Sequence, residues 1–152
     1  MFGPCSVIER EKQLVLSVRT RTSFEELPNV IGIEYGKIYA YMLEVGAAPS
    51  DAPFVGYYNM DMNDLDVEIG FPVAKEVIGK DEIKGSEIPE GKYATLIYTG
   101  PYSEMKAAYK KLSEWMDLHQ IEPNYLAYEI YLNDPEMVKP EELETQILLG
   151  AK

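Results

Sequence analysis

The first part of residues 124–135 alternates in side-chain character, and this period of two predicts a β-strand with two distinct faces. One face carries apolar side chains, namely Leu126, Tyr128, Ile130 and Leu132. We expect that face to lie against a helix. On the other face phenols flank a carboxylate, in the set Tyr125, Ala127, Glu129 and Tyr131. Glu129 is then either solvated on an open sheet or the polar anchor of an aromatic pocket.

The rest of the chain predicts two similar series of elements. The first series is a strand over 5–20, a helix from the capping box Ser23–Glu26 to about Glu44, and strands over 54–59 and 65–74. The second is a strand over 93–98, a helical stripe ending at Met116, the strand around Glu129, and a last strand over 143–149. The order is therefore β-α-β-β twice.

Two β-α-β-β units bury their apolar faces most economically by joining their strands. The sequence thus predicts an α+β fold, in which duplicated β-α-β-β units form one antiparallel-rich curved sheet. We expect two main helices on one face and a ligand groove on the other. We expect a single domain over 1–152, with pseudo-repeat halves at about 5–74 and 83–150. Gly32 and Gly36 lie a turn apart on the first helix, where we expect close packing on the sheet.

Composition and charge narrow the function classes. The 152 residues are 46% hydrophobic, which suits one domain with a sizeable core. A net charge of −12, from 14 basic and 26 acidic residues, argues against nucleic acid and anionic membranes and favours cationic ligands. The single cysteine, Cys5, cannot form an intramolecular disulfide, and no signal peptide or membrane span is predicted. These features predict a cytoplasmic protein.

Cofactor chemistry has no support in the sequence. One histidine, His119, and one cysteine are too few for the usual zinc sites, so we expect no metal. Neither a phosphate-binding glycine loop nor a dinucleotide fingerprint is present, and we expect no cofactor. A nucleophile elbow of the G-x-S-x-G kind is absent as well.

The candidate site residues are tyrosines and acids on the predicted strands. Glu129 is the central candidate, because a partly buried carboxylate is costly unless it is hydrogen-bonded or paired with a cation. The candidates around it are Tyr131, Tyr125, Tyr57, Glu68, Tyr102 and Trp115. For the strand tyrosines the alternative is an ordinary cross-strand contact, and for Glu68 it is solvent exposure. A tryptophan at the edge of an amphipathic helix is more often a core residue than a ligand contact.

Four segments carry a resemblance to a known family. They are Asp66–Val73, Gly100–Tyr102, Leu112–Met116 and above all Tyr128–Pro135, which is followed by Pro140–Leu143. Together they resemble the GyrI-like family, which has the SOUL/GyrI-type fold, and the resemblance extends from about Val7 to Gly150. The family includes effector-binding domains of AraC-type and MerR-type regulators as well as stand-alone proteins. The resemblance implies a multidrug-type groove between two halves, in which Glu129 matches the strand glutamate that contacts cationic planar drugs.

The sequence leaves three functions open. The first is binding or sequestration of amphipathic, cationic aromatic molecules at Glu129 and the tyrosine-lined groove. The second is hydrolysis of cyclopropane-bearing electrophilic toxins, which the resemblance also implies; Glu129 would then activate water and Tyr131 or Tyr57 would stabilise the oxyanion. The third is an acidic protein-interaction module that inhibits a DNA-handling enzyme such as gyrase. No helix-turn-helix is predicted, so direct DNA binding is not expected, and monomer and weak dimer both remain open.

Overall fold

The computed structural model describes all 152 residues, which fall into two compact units. One unit comprises Lys12–Pro89 and the other comprises Met1–Glu11 with Glu90–Lys152. Each unit combines antiparallel strands with one long helix, so the predicted α+β class and the repeated β-α-β-β order are confirmed. Neither helix combines the length and the apolar character needed to cross a lipid bilayer.

The unit Lys12–Pro89 contains four strands and helix α1. In chain order, and counting the first strand of the protein as β1 (Ser6–Arg10), its elements are β2 (Gln13–Thr22), α1 (Leu27–Val45), β3 (Phe54–Tyr57), β4 (Leu65–Pro72) and β5 (Ile83–Ile88). The strands lie in the order β3-β4-β2-β5, and every pair is antiparallel. Leu16 and Val18 of β2 pack against Ile38 and Met42 of α1. That cluster is the core of the unit.

The other unit contains β1 and the second half of the chain. Its further elements are β6 (Gly91–Thr99), α2 (Lys106–Leu118), β7 (Pro123–Tyr131) and β8 (Glu144–Ala151), with short 3₁₀ turns at Tyr102–Glu104 and Pro140–Glu142. The strands lie in the order β1-β6-β8-β7 and are again antiparallel. Leu96 of β6, Ile147 of β8 and Leu112 and Met116 of α2 belong to one buried cluster.

The N-terminal segment differs from its sequence-based prediction. A single strand was expected over 5–20, but the chain forms β1 and β2, which are interrupted at Glu11–Lys12 and belong to different units. β1 pairs with β6, whereas β2 pairs with β4 and β5. Residues 9–13 are all polar, so the apolar alternation stops at the interruption, and this polar run was a usable sign that the strand is divided there.

Local sequence explains where α1 begins and ends. The Ser23 hydroxyl accepts a hydrogen bond from the Glu26 N–H (3.2 Å), and a proline occupies the first helical turn. Gly46 follows the last turn in the left-handed conformation, with φ of 75°, which glycine adopts without steric cost. The expectation that Gly32 and Gly36 pack on the sheet is wrong, because both are exposed and a Cβ there would meet no atom within 4 Å.

Two asparagines mark equivalent places in the two units. The Asn59 side chain donates to the Asp64 carbonyl (2.9 Å) and accepts from the Asp66 N–H (2.9 Å). Asn133 makes the same pair of bonds across the next strand connection, to the Glu142 carbonyl (3.0 Å) and from the Glu144 N–H (2.9 Å). The interval between these asparagines also separates Tyr35 from Tyr109, Val55 from Glu129, and Tyr57 from Tyr131. Glu129 therefore occupies the place that a buried valine holds in the other unit.

Candidate functional site

Glu129 lies on β7 and is only 8% exposed. It stands opposite Ile147 on β8, which in turn stands opposite Leu96 on β6. Cross-strand partners share a face of a sheet, and these two apolar residues pack under α2. Glu129 consequently faces α2. The prediction that laid the opposite face of this strand against a helix is wrong.

Two tyrosine hydroxyls hold the Glu129 carboxylate. Tyr131, two residues along the same strand, donates to Oε1 at 2.8 Å. Tyr109, on α2, donates a hydrogen bond to Oε2. Hydrogen bonds to an ionised acceptor are stronger than neutral ones, and they offset the cost of burying the carboxylate. Strand and helix thus fix both oxygens from two directions.

Tyr102 adds a third ring beside this pair. Its ring meets the Tyr131 ring edge-on, with centroids 5.6 Å apart and planes at 63°. Tyr102 is 41% exposed, so it reaches from the packed rings to solvent. Burial raises the pKa of the Tyr102 hydroxyl, and the nearby carboxylates of Glu129 and Asp134 raise it further. We call Glu129, Tyr109, Tyr131 and Tyr102 the Glu129 cluster.

The turn before Tyr102 explains its placement. Gly100 has φ of 152°, which side-chain-bearing residues rarely adopt, and a Cβ there would lie 2.6 Å from the Tyr98 hydroxyl. That hydroxyl donates to the Pro101 carbonyl at 2.8 Å. The Gly100 N–H donates to the Leu143 carbonyl at 2.8 Å. Glycine and proline at the end of β6 therefore set the direction from which Tyr102 approaches Tyr131.

Glu68 is also buried, but it belongs to a separate network in the unit Lys12–Pro89. It is 3% exposed and accepts hydrogen bonds from the hydroxyls of Ser17 (2.6 Å) and Tyr58 (2.6 Å). Glu68 stands opposite Arg19, on the face of the strands away from α1. The Arg19 guanidinium lies 3.6 Å from the centre of the Tyr58 ring and pairs with both oxygens of Asp66 (2.7 and 2.8 Å). This network contains its own cation.

Three predicted residues are not among the side chains whose contacts define the Glu129 cluster. Tyr125 is 81% exposed with φ of 68°, because β7 has an irregular register between Pro123 and Ala127 that turns Tyr125 into solvent. Trp115 packs against the core under α2, and its ring lies 4.4 Å from that of His119. Tyr57 stands opposite Val67 on β4, in the other unit. The ligand-binding role predicted for these three residues stays a prediction.

The sequence profile of the GyrI-like small-molecule-binding domain matches residues 4–152, which is nearly the whole chain. The chain belongs to the GyrI-like family. Small-molecule binding is the general function by which this family is described. Among curated proteins, none matches this sequence.

Solved structures share the fold of this GyrI-like domain at low sequence identity. The EcmrR C-terminal domain is 21% identical with a TM-score of 0.84, and the match covers 100% of this chain and 99% of that one. EcmrR in an EcmrR–DNA complex is 19% identical with a TM-score of 0.86, covering 99% of this chain. This chain spans only 57% of that EcmrR chain. At such identities the likeness establishes the fold alone.

Two further relatives carry functional descriptions of their own. A hydrolase encoded by lin2189 from Listeria innocua is 16% identical with a TM-score of 0.70, and the match covers 97% of this chain and 91% of that one. SAV2435, solved with bound tetraphenylphosphonium, is 8% identical with a TM-score of 0.65, and the match covers 98% and 94%. Hydrolase activity is said of the Listeria innocua protein and tetraphenylphosphonium binding of SAV2435, and at these identities neither property extends to this chain.

Sequence reasoning missed two contributors to the buried carboxylates. Tyr109 of α2 was not among the candidate site residues, yet its hydroxyl reaches Glu129. Ser17 of β2 was not among them either, yet its hydroxyl donates to Glu68. The internal repeat offered a signal for Tyr109. The interval from Tyr35 to Tyr109 equals that from Val55 to Glu129, so Tyr109 is placed relative to Glu129 as Tyr35 is placed relative to Val55.

The surface of this GyrI-like domain also has two open cavities away from Glu129. One, of about 480 Å³, lies at the far end of β8 and is lined by Val7, Lys92, Gln120, Ile121, Glu122, Ala151 and Lys152. The other, of about 290 Å³, lies beside α1 and β5. Both are open to solvent, and no polar residue that lines either of them is buried. No group of three or more His, Cys, Asp or Glu side chains is arranged to hold a metal ion.

Proposed function

We propose that this GyrI-like domain binds an amphipathic, cationic aromatic small molecule at the Glu129 cluster. The observation that supports this most is a carboxylate, 8% exposed, held by the hydroxyls of Tyr109 and Tyr131. A phenol satisfies a carboxylate oxygen without adding positive charge. The cluster as defined therefore carries one formal negative charge among three aromatic rings.

The chemistry of the cluster suits a lipophilic cation. A ring face attracts a cation within about 6 Å of its centroid by roughly 0.5–2 kcal/mol, and the partly exposed Tyr102 offers such a face. The Glu129 charge acts in surroundings less polar than water, where charge pairs are stronger. The net charge of −12 adds a weaker, long-range attraction for cations and disfavours direct DNA binding. SAV2435, which shares the fold, is bound to tetraphenylphosphonium, a cation surrounded by aromatic rings.

A planar cationic dye tests this proposal. Titration would be followed by the fluorescence of Trp115, with wild type compared with Glu129→Gln and with the matched control Glu68→Gln. Removing one partner of a buried charge pair weakens binding strongly, so Glu129→Gln should raise the Kd at least about tenfold. Glu68→Gln removes an equally buried carboxylate from the other unit and should leave the Kd within about twofold of wild type. Equal losses in both variants would refute the assignment.

A second candidate function is hydrolysis of strained electrophiles such as cyclopropane-bearing toxins. It is favoured by the arrangement of Glu129 with two phenol hydroxyls, since a carboxylate can deprotonate water while Tyr131 stabilises a developing oxyanion. The Listeria innocua protein described as a hydrolase shares the fold. Mass spectrometry of the recovered small molecule distinguishes the two functions. Addition of one water that depends on Glu129 would establish the enzyme, and unchanged ligand would establish the binder.

A further inference from the structure

A surface carboxylate follows directly after the strand that carries Glu129. β7 ends at Tyr131, and the chain then turns at Asp134, whose Oδ1 accepts a hydrogen bond from the Glu136 N–H at 2.8 Å. Asn133 holds the two ends of this connection together, through the carbonyl of Glu142 and the N–H of Glu144. Asp134 is exposed but sits on a fixed turn.

The same connection is tied to the turn that carries Tyr102. The Gly100 N–H donates to the Leu143 carbonyl at 2.8 Å, which joins the end of β6 to the end of the Asp134 connection. The Tyr102 ring meets the ring of Tyr131, which itself donates to Glu129. In agreement with this placement, both Glu129 and Asp134 raise the pKa of the Tyr102 hydroxyl. Tyr102 therefore lies under the influence of a buried carboxylate and an exposed one.

We propose that Asp134 is a second anionic contact of the Glu129 site and makes the site prefer elongated dicationic aromatic ligands over monocations. This inference rests on the proposed function. One positive centre lies at Glu129, the ligand crosses the Tyr102 ring, and the other positive centre lies at Asp134. Four residues lie between the two acids, so their Cα atoms are at most about 18 Å apart even along a fully extended chain.

The alternative role for Asp134 is purely structural, as the acceptor that closes its turn. Asn offers the same side-chain oxygen to the Glu136 N–H, so Asp134→Asn removes the charge and retains the turn. Asp117 is an exposed aspartate on α2 of the same unit, and Asp117→Asn is a control with an identical change in net charge. Comparison of the two variants therefore distinguishes a direct contact of Asp134 with the ligand from the long-range attraction exerted by the net negative charge of the protein.

The test compares two matched probes by isothermal titration calorimetry. One is an N-alkylquinolinium monocation, and the other is a bis-quinolinium in which an alkyl chain of about ten carbons joins two such rings. An exposed ion pair is worth only a modest factor, so we expect the dication to bind about two- to fivefold more tightly, beyond the statistical factor of two. Asp134→Asn should weaken binding of the dication more than binding of the monocation and so abolish this advantage. Asp117→Asn should preserve it.

The outcomes distinguish this inference from the function on which it rests. If neither probe binds wild type, or if Glu129→Gln leaves both affinities unchanged, the proposed function fails. If the monocation binds through Glu129 but the dication has no advantage, or keeps it in Asp134→Asn, only the role of Asp134 is overturned. A true exposed contact also weakens with salt, so the advantage should shrink between 0.05 and 0.5 M NaCl, roughly Debye lengths of 14 and 4 Å.

Discussion

The hydroxyl of Tyr109 provides the sharpest test of how the buried carboxylate is stabilised. Tyr109→Phe removes the donor to Glu129 Oε2 and leaves the ring in place. Hydrogen bonds to charged groups contribute about 1.5–3 kcal/mol, against about 0.5–1.5 kcal/mol for neutral ones. The chain contains its own control, since Tyr35 holds the equivalent place on α1 and donates to the Phe54 carbonyl at 2.9 Å. Tyr109→Phe should therefore destabilise the protein more than Tyr35→Phe.

Urea denaturation measures the difference. With a slope of about 2 kcal/mol/M, Tyr109→Phe should lower the midpoint by roughly 0.7–1.5 M and Tyr35→Phe by roughly 0.2–0.8 M. A double-mutant cycle isolates the charge, because Tyr109→Phe should cost less when Glu129 is already glutamine. Equal costs for the two tyrosines, or a cost that does not change with Glu129→Gln, would refute the charge-assisted bond.

Three further predictions concern stability, and urea midpoints measure each of them. Gly32→Ala and Gly36→Ala should each stabilise the protein by about 0.5–1 kcal/mol, since both glycines are exposed within α1 with open space at Cβ; a loss would show that something approaches this helix closely. Arg19 lowers the pKa of Asp66, so the pair stabilises the fold above the unfolded pKa of about 3.9 and ceases to do so as the pH falls through the lower folded pKa. Asp66→Asn should cost up to about 1 kcal/mol at pH 7, because Arg19 is largely exposed, and the cost should decrease as the pH falls below the unfolded pKa; a cost that does not change with pH would exclude the ion pair. Gly100→Ala should cost about 1–3 kcal/mol at its φ of 152°, whereas a neutral effect would show that the turn relaxes freely.

The hydrophobic pattern of the sequence predicted the positions of the strands and helices better than it predicted which face of a strand a helix covers. Alternation along β7 correctly grouped Glu129 with Tyr131, because a period of two decides which side chains point the same way. It does not decide which of the two faces a helix covers. Glu129 faces α2, since a carboxylate that accepts hydrogen bonds from hydroxyls can be buried there, and the bond to Tyr109 depends on how α2 packs on β7, which strand alternation does not determine.

Tyr125 and Glu68 show two other limits of sequence reasoning. Tyr125 belongs to the same alternating run, but an irregularity in register and a positive φ remove it from the face, and neither has a clear signal in residue type. Glu68 was predicted as pocket lining or solvent-exposed, and its burial depends on Ser17, which is 51 positions away in sequence. A contact between residues so far apart in sequence depends on the register of the paired strands, which the hydrophobic pattern does not determine.

The most direct test of the central claim compares two ligands of similar shape and opposite charge. Tetraphenylphosphonium and tetraphenylborate each present four phenyl rings around one centre, so calorimetric titration of both separates the charge preference from apolar contact. If Glu129 anchors a cationic ligand, wild type should bind the phosphonium at least about tenfold more tightly than the borate, and Glu129→Gln should remove most of that preference. Equal binding of the two ions to wild type, or a preference that Glu129→Gln leaves intact, would contradict the account.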